Sequence, residues 1–258
     1  MTKTNTGNYQ LTIGWLYPDL MSTYGDHGNI LSLQKRLAWR EIGVEIKDLS
    51  VGSSAKDLLA CDLIFMGGAQ DRQQKIVSQD IQKGKAQALA SMIEDNVPGL
   101  YICGAYQFLG KYYKEADGTI IDGLGVLDLY TENLGLSTER LIGNVLAQTL
   151  FLEENTKIVG FENHGGRTYL GSNVRPLGRI IKGFGNNGKD RSEGAIYKNS
   201  LGSYLHGPIL PKNPKITDWL LEKALERKYK DKIVISPLDD TLEMQAQTVI
   251  VRKLQKGI

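Results

Sequence analysis

The chain has 258 residues, and its 31 Lys and Arg against 29 Asp and Glu give a formal net charge of +2. A balance this even does not suggest a nucleic-acid or membrane-surface partner. Hydrophobic residues make up 41% of the chain, which is enough for a sizeable core. Two Cys and three His exclude a disulfide scaffold and a Cys-rich zinc site, and we expect no metal site.

The chain also lacks the apolar segments that membrane insertion requires. Residues 1–10 are polar and do not resemble a signal peptide, and no stretch approaches the ~18 consecutive apolar residues of a membrane span. Cys61 and Cys103 stand in unlike surroundings, which favours two reduced thiols. We therefore expect a cytoplasmic protein without a membrane span.

Strand and helix patterns alternate through the first 110 residues, after a tail at 1–9 that we expect to be flexible. The predicted strands cover residues 11–17, 44–46, 61–66 and 99–102, and the predicted helices cover 30–42 and 71–95. This alternation predicts a parallel α/β sheet with helices on both faces.

The second half consists of short β-like segments separated by glycines. They cover residues 126–130, 141–146, 158–162, 179–182, 194–197 and 203–205, and we expect them to be antiparallel additions to the same sheet. A helix is predicted over 217–227. A last helix has Ser236 as its N-cap and Pro237 at its first position. Without repeats or a linker, a single domain over 10–258 is favoured.

Ligands of open parallel sheets bind beyond the carboxyl ends of the strands, and two small-residue turns lie there. Gly68 follows the third predicted strand, and Cys103 and Gly104 follow the fourth. A thiol at a strand-to-helix turn has a lowered pKa, and two glycine N–H groups can form an oxyanion hole beside it. The alternative is that Cys103 is an ordinary buried cysteine.

A thiol nucleophile needs a base, and the chain offers three histidines. His206 ends a short strand before a Gly-Pro break, which suits an imidazole reaching across the end of the sheet. His164 is the second candidate and His27 the third. Each of them can instead be a structural or solvated histidine.

Three motifs identify a family. Gly67-Gly68-Ala69-Gln70-Asp71, Cys103-Gly104-Ala105-Tyr106-Gln107 and Leu205-His206-Gly207 resemble the class I (triad-type) glutamine amidotransferases. The segment 160–166 resembles their cobyric-acid-synthase-like branch. Segments 17–29 and 165–168 resemble the stand-alone glutaminase subunits of lipid II isoglutaminyl synthases. The resemblance covers residues 10–210 and implies a flavodoxin-like three-layer α/β fold with a mostly parallel central sheet.

The resemblance also implies a reaction. Cys103 would attack the side-chain amide of L-glutamine, with Gly68 and Gly104 forming the oxyanion hole and His206 transferring protons. Arg140 and Gln107 would bind the substrate, and an arginine fork suits a carboxylate. The alternative for Arg140 is a surface arginine at the start of a strand.

The chain departs from the family pattern at two places. Other families of this class carry His-x-Glu, but Pro208 stands at the Glu position. We expect Asp19, Asp26 or a residue of a partner chain to orient His206, and the last case predicts weak activity of the chain alone. Tyr101 and Ala105 stand where many relatives have glycine, which indicates a local difference in the backbone.

Residues 183–189 nearly match a phosphate-binding P-loop. Asp190 replaces the Ser or Thr that binds Mg²⁺, and a strand pattern follows instead of a helix. We therefore predict a hairpin loop and no cofactor in this chain. Amide formation from a carboxylate needs activation, so ATP and Mg²⁺ are expected on another chain.

The resemblance implies that this other chain is a Mur-ligase-like subunit in a heterodimer. It would amidate the D-glutamate α-carboxylate of lipid II in peptidoglycan and cell-wall biosynthesis, using ammonia from this chain. One alternative is the glutaminase subunit of another ATP-dependent amidation, such as that of cobyrinate. The other is a non-catalytic regulatory subunit, which the retained Cys103 and His206 disfavour. Fused cobyrinate amidotransferases carry an ATP-dependent domain for which 258 residues leave no room.

Overall fold

The computed structural model describes residues 9–135 and 138–256. The strands are β1 (Gln10–Leu16), β2 (Gly43–Leu49), β3 (Leu63–Met66), β4 (Gly99–Ile102), β5 (Tyr112–Lys114), β6 (Ile120–Asp122), β7 (Leu129–Asn133), β8 (Leu141–Thr149), β9 (Lys157–His164), β10 (Gly166–Leu170), β11 (Gly178–Lys182), β12 (Ser192–Glu193), β13 (Ala195–Tyr197) and β14 (Ser200–Ser203). The α-helices are α1 (His27–Ala38), α2 (Ala55–Leu59), α3 (Asp71–Gly84), α4 (Ala86–Glu94), α5 (Gly104–Leu109), α6 (Pro214–Tyr229) and α7 (Thr241–Lys256).

The central sheet has the strand order β13-β14-β4-β3-β1-β2 within the described residues. All neighbours pair in parallel except β13, which runs antiparallel to β14 at one edge. In this register Ile13 of β1 lies beside Ile46 of β2 and Leu63 of β3. The predicted parallel sheet with an antiparallel addition is confirmed, and its carboxyl edge gathers the ends of β1, β3, β4 and β14.

Both faces of the sheet are covered. In β3, Phe65 packs into a core with Leu33 of α1 and Leu220 of α6, whereas Ile64 packs into a second core on the other face. Helices α3, α4 and α5 contribute to that second core. Burial on both faces explains why these strands are continuous apolar runs. The prediction of a three-layer arrangement is confirmed.

Most second-half strands form two further sheets rather than extending the central one. Their orders are β10-β7-β5-β6 and β12-β11-β8-β9. The prediction of antiparallel additions to the central sheet holds for β13, which is antiparallel to β14. It is wrong in direction for β14, which joins the sheet in parallel with β4, and wrong for the others, which lie outside that sheet. The physical reason is local pairing: β8 and β9 form a long antiparallel ladder from Leu141–His164 to Gln148–Lys157, which satisfies their backbone groups against each other.

Two helix predictions also need correction. The helix predicted over 71–95 divides at Lys85, whose buried ammonium pairs with Asp80 at 2.5 Å. The last helix begins at Thr241 rather than near Pro237. The Asp239 carboxylate accepts from the Thr241 N–H at 3.0 Å, and the Ser236 carbonyl accepts from Arg40 Nε at 2.6 Å, which keeps this segment outside the helix.

The predicted flexible tail at 1–9 lies outside the described residues, except for Tyr9. This residue packs against Tyr229, with ring centroids 4.7 Å apart, and its carbonyl accepts from the Gly43 N–H at 2.9 Å. The single domain over 10–258 stays a prediction. Across 9–135 and 138–256, none of the helices combines the length and apolar character needed to cross a membrane.

Candidate active site

Cys103 occupies a sharp turn between β4 and α5. Its backbone angles are φ 53° and ψ −107°, and its N–H donates to the Ser203 carbonyl of β14 at 2.8 Å. A positive φ at a residue with a side chain costs about 1–3 kcal/mol, and such strain concentrates at functional sites. The half-buried thiol is thereby held at the carboxyl edge of the sheet, as in a nucleophile elbow.

His206 follows β14 and is fully buried together with Asp26, which lies directly before α1. His206 Nδ1 and Asp26 Oδ1 are 3.2 Å apart, and the carboxylate can only accept, so Nδ1 donates. Nε2 forms no hydrogen bond with any group of the described residues. Burial alone lowers the pKa of His206, but Asp26 and Cys103 outweigh it and raise this pKa to about 10. Both neighbours therefore favour the protonated imidazole.

The structure selects between the two acids that the sequence offered. Asp19 is exposed, and its carboxylate accepts from Ser50 Oγ at 3.5 Å. Asp26 instead contacts His206 across 180 positions of sequence. Pro208, at the usual Glu position, packs against Gly28. Within this chain, the group that orients His206 thus comes from the start of α1.

Gly68 lies between the nucleophile and the base. A Cβ at this position would stand 2.7 Å from His206 Cε1 and 3.2 Å from Cys103 Cβ, so only glycine fits. Its N–H donates to Asp26 Oδ2 at 2.7 Å. In the described conformation, the carboxylate that holds His206 therefore also engages the N–H that the sequence assigns to the oxyanion hole.

A cavity of about 270 Å³ opens in front of Cys103. Cys103, His206, Gln107 and Arg140 all line it. The other lining residues are Thr23, Tyr24, Ala69, Gln70, Gln74, Tyr113, Asn133, Asn163, His164, Gly165 and Gly166. The predicted nucleophile, base and substrate-binding side chains therefore share one cavity.

The two predicted substrate-binding side chains already have partners in the cavity wall. Arg140 is exposed before β8 and donates to Asn163, from Nε to Oδ1 at 3.0 Å and from Nη2 to the carbonyl at 2.9 Å. Gln107 donates to the Tyr204 hydroxyl at 3.1 Å and accepts from Gln74 at 3.4 Å. Gln74 also explains Gly104, where a Cβ would stand 2.7 Å from Gln74 Nε2.

The remaining histidines have different surroundings. His164 stacks on Tyr204 with ring centroids 3.6 Å apart, and its Nδ1 lies 2.7 Å from the Gly166 carbonyl. Burial lowers the pKa of His164, which suits a neutral wall of the cavity. His27 is exposed and stacks on Trp15 at 5.0 Å. Of the two buried histidines, His206 is thus the one whose pKa is raised, with Cys103 among the causes.

Cys61 differs from Cys103 in its environment. It is buried, its thiol donates to the Asp57 carbonyl at 3.4 Å, and burial raises its pKa to about 11. A thiol that resists ionisation is a poor nucleophile.

The P-loop-like segment joins β11 to β12, which pair antiparallel, so the predicted hairpin loop is confirmed. The Phe184 and Gly185 N–H groups donate to the Glu162 carboxylate at 2.7 and 2.8 Å. Glu162 therefore takes the backbone donors that a phosphate would need. Among the described residues, no cluster of three or more His, Cys, Asp or Glu could hold a metal ion.

Thr23, Tyr24 and Asn163 are among the cavity residues to which the sequence assigns no role. Thr23 donates to the Gly68 carbonyl from its N–H at 3.1 Å and from Oγ1 at 2.8 Å. All three lie inside segments that carried the family resemblance. Their position in those segments is the sequence feature that could have marked them as site residues. Their contacts depend on tertiary structure, which the sequence does not show.

Comparisons with known proteins agree with the geometry of the site. Residues 12–214 match the CobB/CobQ-like glutamine amidotransferase domain family. The chain is 44% identical over 252 residues to the lipid II isoglutaminyl synthase (glutamine-hydrolyzing) subunit GatD of Staphylococcus aureus (strain N315), covering 96% of this chain and 98% of the relative. It is 39% identical to the GatD subunit of Streptococcus pneumoniae (strain ATCC BAA-255 / R6), covering 92% and 89%.

More distant similarities agree. A probable cobyric acid synthase of Methanosphaera stadtmanae is 31% identical over 175 residues, which cover 65% of this chain and 34% of that protein. A solved glutamine amidotransferase superposes with a TM-score of 0.59 at 18% identity, covering 82% of this chain and 98% of that one. The glutaminase domain of Trypanosoma brucei CTPS superposes with a TM-score of 0.51 at 13% identity, covering 88% and 96%. The chain belongs to the CobB/CobQ-like glutamine amidotransferases, in the group that contains the GatD subunits of lipid II isoglutaminyl synthase.

Proposed function

We propose that this chain hydrolyses L-glutamine to L-glutamate and ammonia through a thioester on Cys103. The observation that carries the proposal is one cavity lined by complementary groups. It is lined by Cys103, by His206 of the buried His206–Asp26 pair and by Arg140. An amino acid with a side-chain amide offers both matching groups, a carbonyl carbon open to attack and a carboxylate that an arginine binds.

In the first step, Cys103 gives its thiol proton to His206 and forms a bond from Sγ to the amide carbon of glutamine, and the C–N bond then breaks. The leaving nitrogen takes a proton from His206 and departs as ammonia. The raised pKa of His206 favours this proton on the imidazole before it is transferred. Water then attacks the thioester and gives a proton back to His206. The C–S bond breaks, glutamate leaves, and the Cys103 thiolate is restored beside the protonated His206.

The tetrahedral intermediates carry an oxyanion that needs donors. Gly104, directly after Cys103, supplies one N–H in this proposal. For Gly68 to supply the second, its N–H must leave Asp26 Oδ2. We infer that the conformation described here precedes this exchange, and that binding of substrate or of a partner promotes it.

The acceptor of the ammonia is proposed from the relatives. Two of them are named as glutamine-hydrolysing subunits of lipid II isoglutaminyl synthase, and they match most of this chain. We infer that the chain acts in a heterodimer with a Mur-ligase-like subunit, which binds ATP and Mg²⁺ and amidates the D-glutamate α-carboxylate of lipid II. The two free cysteines suit a reducing compartment, the cytoplasm.

Ammonia release from L-glutamine tests the proposal, measured with the chain alone and with the ATP-dependent subunit, ATP and lipid II. We expect slow release by the chain alone, faster release in the complex, and transfer of the glutamine amide nitrogen to lipid II. Release without amidation of lipid II would favour another acceptor, such as cobyrinate. No release in either condition would favour a regulatory subunit and contradict the proposal.

A further inference from the structure

Tyr24 lies on the turn between β1 and α1, at the rim of the cavity. Its backbone angles, φ 57° and ψ 31°, are left-handed, a conformation that residues with a side chain rarely adopt. The turn is fixed on both sides, because Thr23 bonds to the Gly68 carbonyl and Asp26 bonds to the Gly68 N–H. Strain held in place by neighbouring contacts is typical of residues that clamp a ligand.

The Tyr24 side chain connects His206 to Asn163, two residues that line the cavity. Its ring packs edge-on against His206, with centroids 5.0 Å apart, and its hydroxyl accepts from Asn163 Nδ2 at 3.0 Å. The ring is half-exposed and forms part of the cavity wall. One side chain thus contacts both the base, His206, and Asn163.

Asn163 in turn holds Arg140. The Asn163 side-chain oxygen and its backbone carbonyl both accept from the guanidinium, at 3.0 and 2.9 Å. Arginine can only donate, so the Asn163 oxygen must face Arg140 and its amide nitrogen must face the Tyr24 hydroxyl. The direction of each hydrogen bond from Arg140 to Tyr24 is therefore determined.

We propose that Tyr24 is a positioning residue that sets substrate specificity, because it fixes how far the Arg140 guanidinium lies from Cys103. This inference rests on the proposed glutaminase function. The preferred substrate is an α-amino acid whose side-chain amide reaches Cys103 while its carboxylate meets Arg140, which describes glutamine. Asparagine is one methylene shorter, and we expect it to be the poorer substrate while Arg140 is held in place.

Tyr24→Phe tests this inference, because it keeps the ring against His206 and removes only the hydroxyl. We expect KM for L-glutamine to rise about 2- to 10-fold, the effect of losing one neutral hydrogen bond, with kcat nearly unchanged. The preference for glutamine over asparagine should fall. Tyr197→Phe is the matched control, since the Tyr197 hydroxyl bonds to Glu94 on an exposed part of the chain.

Asn163→Ala provides a second test. If Tyr24 acts through Asn163, the double variant should have the same KM as Asn163→Ala alone rather than the product of the two effects. Additive effects would overturn the inference, and so would a fall in kcat at unchanged KM, which would indicate that Tyr24 acts on His206.

Calorimetric titration of L-glutamine into Cys103→Ala, with and without Tyr24→Phe, separates this inference from the proposed function. A several-fold weaker Kd with Phe supports the role of Tyr24. Equal affinities would overturn that role alone. No binding to either variant would contradict the proposed function itself, and the inference with it.

Discussion

Cys103→Ala is expected to reduce glutamine-dependent ammonia release by about 10⁴-fold or more, the range seen when a covalent nucleophile is removed. The variant has no atom that can form the thioester, and His206 cannot replace it. Release should be measured in the complex with the ATP-dependent subunit, where wild-type activity is expected to be highest. The strained turn at Cys103 accepts alanine no worse than cysteine, so the fold should persist.

Two controls accompany this variant. Ammonium chloride should restore amidation of lipid II by the complex that contains Cys103→Ala, because the partner needs only ammonia. Cys61→Ala, which removes the buried thiol, should keep glutamine-dependent release. Substantial glutamine hydrolysis by Cys103→Ala would contradict the assignment of the nucleophile.

Asp26→Asn is expected to lower kcat by about 10²- to 10⁴-fold, as when a carboxylate that orients a catalytic histidine is replaced. Asp26 accepts from both His206 Nδ1 and the Gly68 N–H. Asparagine has one oxygen, so it can satisfy only one of these donors and presents its NH₂ group to the other. The pKa of His206 should also fall toward its ordinary value, because a charge that raises it is lost. Steady-state kinetics in the complex measure the first effect.

Asp19→Asn is the control for this substitution, because Asp19 is exposed and bonds to Ser50. It should retain wild-type kcat. Ammonium-supported amidation by the Asp26→Asn complex reports whether the chain still folds and assembles. If Asp26→Asn hydrolyses glutamine at the wild-type rate in the complex, a residue of the partner orients His206, and the assignment of Asp26 is wrong.

The position of the site was predictable because local rules determine it. A buried parallel strand ending in Cys103-Gly104, and another ending in Gly67-Gly68, had to meet at the carboxyl edge of the sheet. His206 was predictable for the same reason, since β14 lies beside β4. The short supply of cysteine and histidine then left few alternatives.

The partners of these residues were not predictable, because they depend on contacts between distant segments. Asp26 reaches His206 and Gly68 from the start of α1, and nothing in the sequence separated it from Asp19. The hydrogen bond that engages the Gly68 N–H is likewise a property of the folded loop. Tyr24 and Asn163 were visible as motif residues, but their bond spans 139 positions.

Strand pairing was the other part that the sequence left open. Alternation identifies strands, but it does not say which edges they join. Arg140 and Asn133 line the cavity, and each lies next to or in a strand outside the central sheet. Arg140 precedes β8, which pairs with β9, and Asn133 ends β7, which pairs with β10. This arrangement leaves the carboxyl edge free to form the floor of the cavity.

Mass spectrometry of the intact protein, acid-quenched during turnover of L-glutamine in the complex, tests the central claim most directly. We expect a fraction of the chain to carry one additional glutamyl group, located on Cys103 by peptide mapping and absent from Cys103→Ala. A glutamyl group on another residue would contradict the account. So would rapid hydrolysis with no adduct in the wild type and undiminished release of ammonia by Cys103→Ala.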